Sequence, residues 1–91
     1  MDYIELTQLN KKGKIKRTFI VPAALAGRWG VVVLLHSGER VVLTKKLNPD
    51  EEKTFRRLET VMIDLEKIGL DSATIVLNRG KNKSLDTVSS I

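Results

Sequence analysis

Cysteine is absent from this chain, which excludes disulfide bridges and thiolate metal sites. A domain of 91 residues without such staples must hold itself by packing or by self-association. Histidine occurs once, as His36 at a turn, so no second imidazole is available for a zinc site and it reads as a surface residue. The aromatics are Tyr3, Phe19, Trp29 and Phe55, with no aromatic pair on one strand, and a base-stacking sheet has little to build on. No apolar run approaches the length of a membrane span. The start Met1, Asp2, Tyr3 lacks the cationic and apolar stretches of a signal peptide. The expectation is a cytoplasmic protein without a membrane partner.

Catalytic signatures are missing as well. Gly27 and Gly30 are separated by a bulky pair and lack the Gly-Lys-Ser/Thr ending of a phosphate loop. Glu51 with Glu52, and Asp64 with Glu66, lie beside cations and read as a solvated face rather than paired general acid and base. No catalytic residue, metal ligand or cofactor is therefore expected, and the chain reads as a non-enzyme.

What the chain does have is a core's worth of apolar residues, 42%, with 30% charged, which lies in the globular range. Its length suits one domain and is too short for two ordinary cores. The net charge of +5 is uneven. Residues 1–48 hold nine Lys or Arg against three acids, 49–70 hold four against six, and 71–91 hold three against two. Most of the excess lies in one run, Lys11, Lys12, Gly13, Lys14, Ile15, Lys16, Arg17, which leads directly into Thr18, Phe19, Ile20, Val21, Pro22. A basic stretch that becomes a strand is held against a fold, and fixed cations suit phosphate contact with release of condensed counterions.

Residues 3–9 alternate loosely through Ile4, Leu6 and Leu9 and are expected to form a first strand, turning at residues 10–13 into a second over 14–21. In that strand Ile15, Phe19 and Val21 share one face and Lys14, Lys16 and Thr18 the other, with Arg17 an exception on the apolar side. Pro22 followed by Ala23, Ala24, Leu25, Ala26 suggests a short helix. The run 31–35 reads as a strand buried on both faces, Ser37 and Gly38 as a tight turn, and 41–43 as the return strand. Asn48, Pro49, Asp50, Glu51 has the chemistry of a helix start, so a long helix is expected from Pro49 to Ile68, closed by Gly69. Residues 73–77 read as a last strand. A basic loop with Arg79, Lys81 and Lys83 and a flexible tail would follow a single α+β domain of residues 1–78.

The expected fold is thus α+β: a small, mostly antiparallel sheet or half-barrel of four to five strands with one long C-terminal helix. Phe55, Leu58, Met62 and Leu65 recur along that helix at coiled-coil spacing, so together with Trp29 they are candidate protein-interface residues, for a homodimer or another protein partner. Candidate nucleic-acid contacts are Lys11, Lys12, Lys14, Lys16 and Arg17, with Arg28, Arg40, Lys45, Lys46, Arg79, Lys81 and Lys83 as secondary ones. No base-reading residue is nameable, since lysines supply affinity more readily than specificity.

Gly13, then Ile20, Val21, Pro22, the alanine-rich residues 23–26, Gly30, the run 31–35, Gly38 and the run 41–46 together resemble the swapped-hairpin DNA-binding domains of the AbrB and SpoVT class. The resemblance covers residues 11–47. It implies a homodimer whose exchanged hairpins make one barrel, with basic residues of the early hairpin in the major groove of DNA. The leading expectation is a small DNA-binding protein or transcription regulator using a basic β-hairpin, with RNA as the other nucleic acid. The alternative is an accessory subunit or interaction module of a larger nucleoprotein assembly, a polymerase or a ribosome.

Overall fold

The computed structural model describes residues 1–77. The anticipated basic loop at Arg79, Lys81 and Lys83 and the tail beyond it lie outside these residues. The chain opens with a helix, α1 (Tyr3–Lys11), where the alternation of Ile4 and Leu6 suggests a strand. Its signature is a capping box: the Glu5 N–H donates to the Asp2 carboxylate at 2.9 Å, and the Asp2 N–H donates to the Glu5 carboxylate at 3.1 Å. Helical spacing then puts Leu6 in the core with no exposure, Tyr3 and Leu9 packed against it one turn to either side, and Ile4 outward.

Gly13, at φ 68°, reverses the chain into β1 (Ile15–Pro22), as its turn position suggests. β1 pairs antiparallel with β2 (Trp29–Leu35), which pairs with β3 (Arg40–Val42) across the turn at Ser37 and Gly38. The expected short helix after Pro22 is absent. Six residues must close a hairpin between paired Pro22 and Trp29, and the Ala23 N–H donates to Arg28 O at 2.9 Å, which leaves no room for helical turns.

The larger correction lies after Leu43. The helix-start chemistry of residues 48–51 serves a second hairpin instead, β4 (Thr44–Lys45) with β5 (Asn48–Glu52). Glu51 accepts from Lys45 Nζ at 2.8 Å and from Asn48 Nδ2 at 2.9 Å, closing this hairpin across its turn. The chain then returns to the sheet, where Phe55 and Trp29 exchange backbone hydrogen bonds of 2.7 and 2.8 Å. Phe55 is 5% exposed in the core, a position that a helix begun at Pro49 would not deliver to the edge of β2. Tertiary pairing overrides the local signal, and the helix, α2 (Leu58–Ile68), is eleven residues long.

After α2 the chain adds β6 (Thr74–Ile75) parallel to β1, giving a mixed four-stranded sheet in the order β3-β2-β1-β6. The fold is therefore α+β, with α1 and α2 on one face of an open sheet. Of the two expected forms, sheet or half-barrel, the described residues show a sheet without half-barrel closure, and two short helices stand where one long C-terminal helix is expected. Leu6 from α1 and Val61, Leu65 and Ile68 from α2 share one buried cluster with Ile20, Val31, Val33 and Leu35 of the sheet.

Gly69 ends α2 in the left-handed region at φ 98°. Its N–H donates to Glu66 O at 2.9 Å and that of Leu70 to Leu65 O at 3.0 Å, while Asn10 of α1 donates through Nδ2 to Ile68 O at 3.2 Å. A Cβ at position 69 would stand 2.9 Å from that Asn10 nitrogen. Gly69→Ala is expected to lower stability by about 1–2 kcal/mol through backbone strain and the disturbed tie between the helices. Urea denaturation measures it, and a change within ~0.3 kcal/mol of zero would show that this cap does not matter.

Candidate functional site

The basic run is carried on a hydrogen-bonded scaffold. Lys12 N–H donates to Gln8 O at 3.1 Å, Gly13 N–H to Asn10 O at 3.0 Å and Lys14 N–H to Leu9 O at 3.0 Å, so the turn from α1 into β1 is closed at three successive residues. The His36 N–H donates to Lys14 O at 3.0 Å, bringing the β2–β3 turn to the same end of the sheet. Lys11, Lys12, Lys14, Lys16 and Arg17 are all exposed, and none is paired with a carboxylate among the described residues.

A β-bulge decides where these side chains go. Ile15 pairs with Leu35, but Arg17 pairs with Leu34, so the register slips by one between them. The slip moves Ile15 to the helix-covered face with Thr18 and Ile20, opposite Leu35, Val33 and Val31. Phe19 and Val21, which alternation assigns to the same side as Ile15, lie on the other face. Arg17 stays with Phe19 on that other face, a cation at the end of an apolar row as alternation suggests. Lys16 occupies the bulge, and both cations of this pair reach solvent.

The secondary candidates separate. Arg40 sits opposite Leu34, which pairs on its other side with Arg17, so Arg17 and Arg40 flank one leucine at the cationic end. Arg28 lies at the opposite end of the hairpin and donates through Nη1 to Thr54 Oγ1 at 3.3 Å. Lys45 is engaged with Glu51 and Lys46 occupies the turn of the β4–β5 hairpin, away from the run at residues 11–17. The Lys45 ammonium, through its hydrogen bond and then its charge, holds the Glu51 carboxyl below its ordinary value, with the Asn48 amide adding less. A carboxyl lowered in the folded state contributes stability above its unfolded value and loses it as pH falls through the folded one. Lys45→Ala is therefore expected to raise the Glu51 titration midpoint, read by carbon-detected NMR of its carboxyl; an unchanged midpoint would refute the pairing in solution.

The candidate interface residues are mostly occupied within the chain. Phe55 and Leu65 are each 5% exposed, Leu58 and Trp29 are half-buried against the core, and of the five only Met62, at 53%, is exposed. The inward stripe of α2 is Val61, Leu65 and Ile68 with Leu58 at its border, so of the coiled-coil positions on this helix only Met62 faces away from the core. Met62 instead borders a groove of about 220 Å³ between α2 and β6, with Ile20, Leu65, Leu70 and Ile75 as its apolar lining and Glu66 and Asp71 at its side.

What composition and pattern did not reveal is the position of Arg40 and His36 beside the basic run. They are remote in sequence, and only the β2–β3 turn brings them there. Among the described residues no helix is long and apolar enough to cross a membrane, and no cluster of three or more His, Asp or Glu is arranged to hold a metal ion. No protein-family model matches the chain, and comparison with curated proteins and with solved structures returns no significant match. Fold and site together define a small two-layer α+β protein with an open sheet that is cationic at one end.

Proposed function

We propose that this protein binds nucleic acid, most simply duplex DNA as a small DNA-binding or regulatory protein, through the cations of the α1–β1 turn and the start of β1. The observation that carries the reading is the rigid presentation of exposed, carboxylate-free cations by a hydrogen-bonded turn. Lys11 and Lys12 have a second reason for their place, since they complement the negative end of the α1 dipole. Lys14 and Lys16 have no such local role, and Lys16 is turned outward by the bulge. The resemblance of residues 11–47 to the AbrB and SpoVT class adds the expectation of a duplex rather than a single strand. Phosphate contact is the role assigned to these cations, with no base-reading residue among them.

The test is binding to a labelled duplex across a salt series, with wild type beside a variant carrying Lys12→Ala, Lys14→Ala and Lys16→Ala. Each cation that touches a phosphate contributes about 0.9 to the slope of log affinity against log salt. The variant is expected to lose about 2–3 from that slope and at least tenfold in affinity at low salt. Wild type without salt-dependent binding would remove the proposal. A second reading, an accessory subunit with a protein partner, is favoured by the groove beside Met62 and by its acidic side chains Glu66 and Asp71, and it predicts binding insensitive to the lysine changes.

A further inference from the structure

The helices cover one face of the sheet, and the other face is apolar without being covered by either of them. Its central row is Phe19, Val32 and Val42, three residues paired side by side across β1, β2 and β3. Toward one end of the strands the next row on this face is Arg17, Leu34 and Arg40. Toward the other end it is Val21 and Gly30, and there the Glu52 carboxylate lies directly against Gly30. A Cβ at position 30 would collide with that carboxylate, so a side chain there would make the end of Glu52 shift. Phe19, Val32 and Leu34 are half-buried and Val42 is 39% exposed, while Val21 and Gly30 at the Glu52 end are already buried within the chain, so the open part of the face is the central and cationic rows. An antiparallel sheet solvated on one face alternates apolar-in with polar-out, and this one does not.

The arrangement is self-complementary. Leu34 and Gly30 are four residues apart on β2, roughly 13 Å, with Val32 midway between them. A two-fold axis lying between two sheets along the row Phe19, Val32, Val42 reverses one copy end for end. It then sets the cationic row of each copy over the Glu52 end of the other, with the apolar rows in contact at the centre. Within one chain Arg40 and Glu52 sit at opposite ends of the face, and neither makes an ion pair among the described residues.

We infer that this sheet face is the contact between two copies of the chain, packed sheet against sheet about that axis, with Arg40, aided by Arg17, facing Glu52 of the second copy. The inference does not rest on nucleic-acid binding, and it leaves Lys11, Lys12, Lys14 and Lys16 outside the contact. Four strands at ~4.8 Å spacing and five residues of ~3.3 Å rise give a footprint well below the ~800 Å² per partner of a standard interface. The dimer is accordingly a weak one, forming in the micromolar range.

Sedimentation equilibrium without nucleic acid, from about 1 to 500 µM on the scale of that affinity, tests it. Wild type is expected to dimerise, and Arg40→Glu and Glu52→Lys are each expected to weaken the dimer at least tenfold, because each sets like charges against one another twice per dimer. An equimolar mixture of the two single variants is expected to associate as tightly as wild type. In the mixed dimer one of the two contacts joins the two reversed charges, which again attract, and the other is the native Arg40 with Glu52. Both variants change exposed or half-exposed polar positions, and circular dichroism verifies that they fold. Val32→Glu, which brings two carboxylates together at the axis, is expected to be monomeric. A wild type that stays monomeric at the top of that concentration range overturns the inference, and so does a dimer whose affinity is unmoved by the two charge reversals. Failure of the mixture to associate, with both single variants weakened, places Arg40 and Glu52 in some other arrangement and also overturns it.

Discussion

Phe55→Ala is expected to lower stability by about 3–5 kcal/mol, the usual loss when a buried phenylalanine is truncated to a methyl group. The ring is 5% exposed in the main cluster, and its backbone is joined to Trp29 in both directions. It is the anchor by which the chain, after the β4–β5 hairpin has left the sheet, comes back before α2 begins. The Lys53 ammonium lies 5.4 Å from the ring centroid and Lys53 also pairs with Asp64 of α2 at 3.4 Å, so truncation loosens the entry to the helix as well as the core. Small domains have total stabilities of about 5–15 kcal/mol, so the change removes a large fraction. At about 4–8 °C per kcal/mol for a chain of this size, the melting temperature is expected to fall by more than ~12 °C. Leu47→Ala, at a side chain 95% exposed in the hairpin turn, is the control and is expected to change almost nothing. A loss below ~1 kcal/mol at Phe55 would mean that the ring is a surface residue, as a partner-docking role requires.

Leu6→Ala is expected to cost about 2–5 kcal/mol and to release α1. Leu6 is the one residue of α1 that is fully buried, with no exposure, while Tyr3 and Leu9 only border the core. A nine-residue helix is not stable alone in water, even with a capping box. What would remain to hold it are the Asn10 to Ile68 hydrogen bond at 3.2 Å, the Thr44 N–H to Met1 O bond at 2.8 Å, the bonds of the Met1 ammonium to Thr44 Oγ1 at 3.0 Å and Val42 O at 3.3 Å, and the partial packing of Tyr3 and Leu9. Hydrogen exchange reads the effect: amide protection in α1 is expected to fall further than that of β2. Uniform loss across both would show instead that α1 unfolds only with the whole domain. Because α1 delivers Lys11 and Lys12, the same substitution is also expected to weaken the duplex binding proposed for the basic turn.

How far the chain's pattern disclosed the fold depends on how local each element's cause is. β1, β2, the turn at Gly38 and the return strand follow from apolar runs bounded by turn residues, and the structure has all of them. Gly69 reads as a left-handed cap and is one. The first helix is misread because Ile4 and Leu6 invite a period of two, although Asp2 and Glu5 carry a capping-box signal that three-residue spacing would have exposed. The start of the long helix is misread for the opposite reason. Asn48, Pro49, Asp50 and Glu51 are sound helix-start chemistry, and the same polar side chains close a hairpin turn equally well. The candidate basic site is legible as a run of lysines. Arg28, Lys45 and Lys46 rank below it in the sequence only because they lie outside the run, and nothing in the sequence shows that Arg28 and Lys45 are engaged with Thr54 and Glu51.

Composition and short-range pattern were therefore sufficient for the α+β class, the charge and where it concentrates, the central hairpin and the absence of thiol chemistry, because each depends on residues within a few positions of one another. The tertiary structure decided the rest. It chose hairpin over helix at residues 44–52 because Phe55 had to reach Trp29, and it placed both helices on one side of the sheet around Leu6 and Val61. The one-residue bulge at Lys16 exchanged the faces of β1, sending Ile15 inward and Phe19 outward. Each of these outcomes is set by pairing between residues far apart in the chain, where the free energy of burying a shared core exceeds the few tenths to one kcal/mol by which local propensity favours one element over another.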